Sequence, residues 1–304
     1  MSIVSTRLLS RAARSLGALG ACVVLSALSH AQLVYFSSTI NQAQETPPTG
    51  SPATGVGCVT LDTSTNIISY NVTFTGLLGT QTAAHIHVGA PGVAGGIIVG
   101  IPNGSPSTGT AALTPAQAAT LTAGNYYFNI HSTVFGGGEI RGQILPVPAP
   151  VPFCFGDGSA GPCPCANQSA VGANEGCLHS PGVVGGKLVA SGGSSIQCDS
   201  LQLCASQVLG TNCLFVQGNI APAGPFPFGD GVRCIGGSLK RIALGAINGG
   251  NACLGGLGTT QQISALGAVA PGTYGYQVWY RDNTAYCTPF AYNMTNGVLV
   301  TWVP

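Results

Sequence analysis

The sequence has 304 residues, of which only 6% are charged, whereas soluble domains usually carry roughly 25% charged residues. Its formal net charge of +1 excludes a nucleic-acid binder, because such a protein needs a basic surface that displaces counterions from phosphates. With 45% hydrophobic residues the chain can bury a core, which excludes charge-driven disorder, and the length suggests about two domains of ~150 residues each.

The first 31 residues have the pattern of a secretory signal peptide. Three arginines precede an apolar run at 15–28, and the small residues Ser29 and Ala31 stand where a signal peptidase reads the chain. The apolar run is shorter than the ~20 residues that span a membrane. We therefore expect an exported protein, secreted or at the cell surface (in a bacterium, in the periplasm or on the outer surface), with no membrane span in the mature chain.

Alternating apolar and polar residues predict that residues 32–145 form an all-β domain. The clearest case is the segment 68–75, in which every second residue is apolar or aromatic. One short helix is predicted near 114–123, because Thr114 can cap its first turn and Pro115 suits its first position. The other strands are predicted at 33–38, around Val59 and Leu61, and at 83–88, 96–101, 125–132 and 139–145.

Strand parity places three histidines on one polar face of this domain. His85 and His87 alternate with apolar residues on one strand, and His131 occupies the same face of another. Neutral imidazoles in such a pattern ligate copper or zinc, and Glu139 could be a further ligand or could orient one ring. The pattern therefore allows a copper or zinc site, whose catalytic form would be redox chemistry like that of superoxide dismutases.

The same polar face also allows an arrangement without metal. If residues 132–138 close a hairpin, His131 lies opposite Glu139 and Asn129 lies opposite Arg141. These side chains would then form a hydrogen-bonded polar cluster that needs no ion. The sequence favours this polar cluster, since neither a fourth histidine nor a further acidic residue that would serve as a ligand is evident in the domain.

Five short motifs of this first region are together similar to one known family. They are ETPP at 45–48, ATG at 53–55, AAHIH at 83–87, GNYYFNIH at 124–131 and GEIRG at 138–142. In this order they resemble the CHRD domain, which is named from the patterning protein chordin. The resemblance implies a β-sandwich or barrel-like module of exported proteins with no established enzymatic activity. It therefore favours a non-enzymatic binding, adhesion or structural protein whose partner is an extracellular protein or polysaccharide.

The cysteines and prolines divide the chain into two regions. Alternating prolines at 146–152 predict a stiff linker before a second, glycine- and cysteine-rich β domain at 153–304. Cys58 stands alone in the first region and is interpreted as a small buried thiol, with a copper ligand as the alternative. The ten cysteines of the second region predict up to five disulfides rather than metal thiolates, in a pairing that the sequence leaves open. These disulfide candidates are Cys154, Cys163, Cys165, Cys177, Cys198, Cys204, Cys213, Cys234, Cys253 and Cys287.

Aromatic residues of the second region suggest one further binding function. Tyr276, Trp279 and Tyr280 could form a platform on which sugars stack, which would make this region a glycan-binding module. Core aromatics of a β-sandwich are the favoured interpretation, because the aromatics alternate with Val278. No nucleophile elbow, phosphate loop or dinucleotide fingerprint is evident, so no catalytic residue is predicted.

The second region also resembles a known domain. The sequences FCFGDG at 153–158, YQVWYRD at 276–282 and TNGVLVTWVP at 295–304 are similar to a cysteine-rich C-terminal domain of exported planctomycete-type bacterial proteins. No activity is assigned to that domain, so the resemblance implies export and no mechanism. The whole chain is therefore expected to hold two β-sandwich or barrel-like domains, the second rich in disulfides.

Overall fold

The computed structural model describes residues 32–180, 182–220, 224–282 and 284–304. The predicted signal peptide at 1–31 lies outside the described residues. Strands dominate the described part of the chain and its helices are short, so the all-β prediction is confirmed. None of the described helices is long and apolar enough to cross a membrane.

Eight strands of the first region form one antiparallel sheet that curls into an almost closed barrel. They are β1 (Leu33–Asn41), β2 (Thr54–Asp62), β3 (Ile67–Thr75), β4 (Gln81–Val88), β5 (Ile97–Ile101), β6 (Ser107–Ala112), β7 (Tyr126–Ser132) and β8 (Ile140–Pro146). Their order across the sheet is β5-β4-β7-β8-β1-β2-β3-β6, and the edge strands β5 and β6 approach each other. The strands β4, β7 and β8, which carry the predicted polar face, are therefore neighbours.

The alternation of residues in these strands determines which side chains enter the barrel core. In β3, Ile68, Tyr70 and Val72 are buried, whereas Ser69 and Asn71 between them are exposed. Because successive residues of a strand point to opposite faces, the apolar set packs inside the barrel and the polar set faces solvent. The strand prediction at 68–75 is confirmed by this pattern.

The predicted helix is α1 (Pro115–Thr122), and its first turn is capped as its sequence predicts. The Thr114 hydroxyl accepts the Gln117 backbone N–H at 3.3 Å, and the Gln117 side-chain oxygen accepts the Thr114 N–H at 2.8 Å. This capping box satisfies two donors that have no partner inside the helix. Ala118 and Leu121 then pack against the barrel core.

The second region forms three smaller sheets. Its strands are β9 (Val151–Phe153), β10 (Lys187–Ser191), β11 (Gln202–Ser206), β12 (Asn212–Ile220), β13 (Phe226–Phe228), β14 (Gly231–Arg233), β15 (Ile235–Ala246), β16 (Ala252–Gly255), β17 (Gly272–Arg281), β18 (Tyr292–Met294) and β19 (Gly297–Trp302), with a short helix α2 (Ile263–Gly267) that was not predicted. One sheet has the order β15-β12-β17-β19-β9 with β18 beside β17, a second is β10-β11-β16, and β13 pairs with β14. Strand β9 begins inside the predicted linker at 146–152 and pairs with β19, and the described residues belong to one compact unit.

Five disulfides connect ten of the described cysteines. This set differs from the expected ten cysteines at two positions. Cys58, expected as a thiol, is bonded to Cys198, whereas Cys213, expected in a disulfide, is a buried free thiol. Cys58 alternates with the core residues Val59 and Leu61, so it faces outward, where the loop that carries Cys198 reaches it. The other four disulfides are Cys154–Cys234, Cys163–Cys177, Cys165–Cys287 and Cys204–Cys253.

Cys213 has no disulfide because its strand neighbours carry no thiol. It lies on β12, opposite Gly245 of β15 and Tyr280 of β17, and its side chain packs in the core with Phe215. Burial raises the pKa of the Cys213 thiol to about 11, since an apolar core disfavours the thiolate. This cysteine therefore acts as a small core residue, the role that was expected for Cys58.

A buried histidine of the second region gives a testable pH dependence. His179 is 4% exposed, and its Nδ1 lies 3.2 Å from the Tyr280 hydroxyl. Burial lowers the pKa of His179 below its ordinary value, although the nearby Asp282 opposes this change. Since the unfolded chain binds this proton at a higher pH than the folded protein, acid favours unfolding.

We therefore expect the free energy of unfolding to fall as the pH is lowered from about 7 to about 5, through and below the ordinary histidine pKa of ~6.5. In the His179→Gln variant the free energy of unfolding should change less steeply with pH, whatever the stability of the variant at pH 7. Urea unfolding followed by fluorescence at both pH values measures the slope for each protein. An identical slope in the variant would show that His179 does not contribute.

Candidate functional site

Three histidines meet on the outer face of the barrel, where β4 and β7 are adjacent. In the antiparallel register His85 pairs with Asn129 and Ala83 pairs with His131, so His85 and His131 are diagonal neighbours. Nδ1 of His85 lies 3.2 Å from Nε2 of His131. One ring nitrogen from each of these two rings and from His87 lies within 4.8 Å of the other two. The structure thus brings together all three histidines that parity placed on one face.

Two of the three imidazoles are held by backbone carbonyls. Nδ1 of His87 lies 2.9 Å from the Gly95 carbonyl oxygen, and Nδ1 of His131 lies 3.0 Å from the Gly136 carbonyl oxygen. A carbonyl only accepts, so each Nδ1 must carry the proton and each Nε2 keeps a free lone pair. Nε2 of His87 is buried and has no hydrogen-bond partner among the described residues. This arrangement is the usual one around metal-binding histidines.

Tyr127 positions the His87 ring in two ways. The two rings are stacked, with centroids 5.1 Å apart and an interplanar angle of 11°. The Tyr127 hydroxyl also accepts the Gly95 N–H at 3.1 Å, and Gly95 is the residue whose carbonyl holds His87. The guanidinium carbon of Arg141 lies 3.5 Å from the centroid of the Tyr127 ring. Tyr127 was not singled out from the sequence, although it precedes Asn129 by two residues and so shares its face of β7.

The surroundings of the cluster favour neutral imidazoles. Burial lowers the pKa of His85, and the neighbouring His131 and His87 lower it further. Burial also lowers the pKa of His131, although the Gly136 carbonyl partly opposes this change. Because the neutral ring is the form that donates a lone pair to a metal, these lowered pKa values favour the ligating state of His85 and His131.

Arg141 belongs to a separate buried polar cluster. It pairs with Asn129 in the register of β7 and β8, and it is 1% exposed. Its Nη2 donates to the Ala90 carbonyl at 2.9 Å and to Oε1 of Gln143 at 3.3 Å. Asn129 in turn donates to the Glu45 carboxylate at 2.5 Å. Glu45 was not singled out from the sequence, although it opens the ETPP motif.

Glu45 supplies the negative charge of this polar cluster. Its side chain is 9% exposed, and burial raises the pKa of its carboxyl group. Arg141 and the hydrogen bond from Asn129 oppose that rise, since both stabilise the ionised carboxylate. Arg141 therefore helps the Glu45 carboxylate to remain ionised inside the protein.

Glu139 does not join the histidines, which corrects its prediction as a metal ligand and as the partner of His131. Its Oε1 accepts the Ser51 hydroxyl at 2.6 Å and the Leu78 N–H at 2.7 Å. Burial by itself would raise the pKa of Glu139, but hydrogen bonds from Ser132, Ser51 and the Leu78 N–H outweigh it and lower the pKa. The carboxylate thus connects loops at the turn of the β7–β8 hairpin.

Tyr276 and Tyr280 do not form a sugar platform, because both are buried in the core of the second region. The Trp302 indole N–H donates to the Tyr276 hydroxyl at 2.9 Å. Burial raises the pKa of both phenols. Trp279 points to the opposite face of β17 and is partly exposed. The predicted trio is therefore divided between two faces of one strand.

Comparison with known proteins identifies the first region only. Residues 36–144 match the CHRD domain family, and this segment contains the three histidines, Tyr127 and both members of the Glu45–Arg141 pair. No curated protein and no solved structure was found to match the chain. The match supports the resemblance seen in the motifs of the first region, whereas the resemblance of the second region to an exported bacterial domain stays an expectation.

Proposed function

We propose that this chain is an exported, non-enzymatic β protein whose CHRD-like region binds a divalent transition-metal ion, zinc or copper, through His85, His87 and His131. The observation that carries the proposal is the orientation of the rings. Backbone carbonyls hold Nδ1 of His87 and His131, and the buried Nε2 of His87 has no protein partner among the described residues. An ion between the rings would satisfy that nitrogen.

The spacing of the ring nitrogens supports this assignment. Two nitrogen ligands on a tetrahedral zinc ion, each bound at ~2.0–2.1 Å, are separated by ~3.3 Å. Nδ1 of His85 and Nε2 of His131 are 3.2 Å apart. A hydrogen bond between these two rings also fits that distance, but it leaves Nε2 of His87 without a partner. The third histidine therefore favours an ion over a ring-to-ring hydrogen bond.

The composition of the site supports zinc or copper rather than a harder ion. Imidazole suits both of these metals, whereas magnesium and calcium prefer oxygen ligands. The histidine cluster of the described residues contains no carboxylate, since Glu139 is engaged elsewhere. Three protein ligands leave a coordination position for water or for a donor group of a partner. In this proposal the ion stabilises the barrel and offers a contact point to an extracellular protein or polysaccharide.

The disulfides support the exported location in this proposal. Five disulfides connect ten of the described cysteines, and such bonds persist in oxidising compartments outside the cytosol. The amino-terminal pattern of arginines, an apolar run and small residues points in the same direction. A thiolate-free histidine site also suits such a compartment, because imidazoles are not consumed by oxidation to disulfides.

Metal titration of the chelator-washed protein tests the proposal. We expect one equivalent of zinc or copper per chain and a rise in melting temperature, since an ion at 100 times its Kd adds about 2.7 kcal/mol of stability. The variants His87→Gln and His131→Gln should weaken binding by at least about tenfold, because each loses a ligand. Calorimetry with elemental analysis measures both quantities.

His179→Gln is the matched control, because His179 is a buried histidine outside the cluster. It should bind the metal as the unmodified protein does. The metal assignment fails if no stoichiometric ion binds and the melting temperature stays constant, or if the control variant loses as much affinity as the cluster variants.

A further inference from the structure

A groove of about 580 Å³ lies on the second region, on the face of β12 and β17 opposite the core. Val216 and Met294 line it, and the partly exposed rings of Trp279 and Phe228 border it. Its volume lies within the ~300–1,000 Å³ that is common for ligand sites. The groove is distinct from the histidine cluster, which belongs to the first region.

A row of aromatic rings begins at the groove with Trp279 and Phe228 and continues beside it. The ring centroids of Trp279 and Tyr292 are 5.9 Å apart. The Tyr292 centroid also lies 5.2 Å from that of Phe228 and 5.4 Å from that of Phe290. Phe290 is 51% exposed, so part of this row is open to solvent. Flat aromatic rings on rigid strands offer contact area at a small cost in conformational entropy.

Two arginines give the groove a positive charge. Arg233 and Arg241 both line it, and Arg241 is exposed. The guanidinium carbon of Arg233 lies 5.3 Å from the Phe228 centroid, and its Nε is buried without a hydrogen-bond partner among the described residues. The guanidinium carbon of Arg281 lies 5.6 Å from the Trp279 centroid beside them.

The hydrogen bonds seen at three acidic residues of the second region come from groups other than the groove arginines. Asp157, Asp199 and Asp230 accept from backbone N–H groups and hydroxyls. Asp230, for example, accepts from the Tyr286 N–H and the Thr288 hydroxyl at 2.8 Å each.

We propose that this groove binds an acidic polysaccharide, a chain of sugar rings that bear carboxylate or sulfate groups. The apolar faces of sugar rings pack on aromatic side chains such as Trp279. Guanidinium groups match the geometry of carboxylate and sulfate oxygens with two parallel hydrogen bonds. The groove presents both features side by side, and its two lining arginines favour an anion.

The sheet that carries the groove favours a polysaccharide over an acidic peptide. Strand β12 is paired on both sides, with β15 and β17, and β17 is paired with β12 and with β19 or β18. The central strands β12 and β17 therefore offer no free edge to which the backbone of an extended peptide could add, whereas β15, which carries Arg241, is an edge strand of this sheet. A polysaccharide needs no such edge, because its hydroxyls stay in water while its rings and anionic groups make the contacts.

Affinity electrophoresis and calorimetry of the full mature chain at 150 mM salt test the site. The probes are polygalacturonate and dextran sulfate as acidic polysaccharides, dextran as a neutral one, and polyglutamate as an acidic peptide. We expect an acidic polysaccharide to bind and dextran to bind weakly or not at all. Arg241→Gln and Arg233→Gln should each weaken binding by about tenfold or more, the loss expected for one charged hydrogen-bonded contact. Trp279→Ala should also weaken binding, because it removes the ring on which a sugar packs.

Lys187→Gln is the matched control, because it removes one cation away from the groove. It should leave the affinity unchanged. Since Arg241 is exposed, its variant tests the site even if Arg233→Gln fails to fold. The proposal is overturned if neither acidic polysaccharide binds, if dextran binds equally well, or if Lys187→Gln weakens binding as much as the groove variants. Tighter binding of polyglutamate that the same variants abolish would assign the groove to an acidic peptide instead.

Discussion

Replacing Arg141 by methionine should destabilise the folded protein by about 3 kcal/mol, since a hydrogen bond from a charged group contributes about 1.5–3 kcal/mol and the guanidinium donates two. Arg141 is 1% exposed, and its guanidinium bonds to Ala90 and Gln143 and opposes the rise in the Glu45 pKa. Without it, the Glu45 carboxylate would remain buried with only its neutral hydrogen-bond partners. Urea unfolding at pH 7 measures the difference.

The pH dependence of this loss identifies its electrostatic part. Burial already raises the pKa of Glu45, and removing Arg141 raises it further. As the pH falls and Glu45 becomes protonated, the variant no longer holds an unpaired charge, so its deficit should shrink between pH 7 and about pH 4.

Glu45→Gln is the companion variant for this prediction. The double variant should be less destabilised than the sum of the two single changes, because both act on one pair. A deficit that is constant with pH, with strictly additive single changes, would show that Arg141 contributes through packing alone.

Removing the Cys58–Cys198 disulfide should lower the free energy of unfolding by about 2–4 kcal/mol. The bond closes a loop of 140 residues and connects β2 of the barrel to the loop before β11. A longer closed loop restricts the unfolded chain more, so this disulfide should contribute more than Cys163–Cys177, which spans 14 residues. Guanidinium unfolding of the variant with both cysteines replaced by serine measures the loss.

The variant Cys213→Ser serves as the comparison, because it removes a thiol that forms no disulfide. Peptide mapping under non-reducing conditions should recover Cys58 joined to Cys198 and Cys213 as a thiol. Recovery of Cys198 joined to Cys213 would contradict the connectivity, and so would a double serine variant as stable as the unmodified protein.

Local patterns predicted much of the barrel. The period of two in 68–75 identified a strand and its buried face, and the Thr114 cap identified a helix, because both depend on residues that are close along the chain. The same parity grouped His85, His87 and His131. The helix α2 was missed, since its five residues carry no capping side-chain hydrogen bond that would mark its start.

The partners of individual side chains could not be predicted in the same way. Parity states that Glu139 shares a face with histidines, but not that Ser51 and Leu78 lie closer to its carboxylate. Parity also places Trp279 on the face of its strand opposite to Tyr276 and Tyr280. It does not show that the Arg233 and Phe228 side chains line the same groove as Trp279. These contacts join segments that are far apart in sequence.

The sequence by itself determined the strand-rich class of this protein, the faces of its best strands, the capped helix and the three histidines that share a surface. Only the tertiary structure decided that Cys58 bonds to Cys198, that Glu45 rather than Glu139 accompanies Arg141, and that the histidine rings converge. The physical reason is the distance along the chain over which each interaction acts. Alternation and capping act over a few bonds of the chain, whereas disulfides, ion pairs and a ligand site depend on how distant strands pair and how loops close over them.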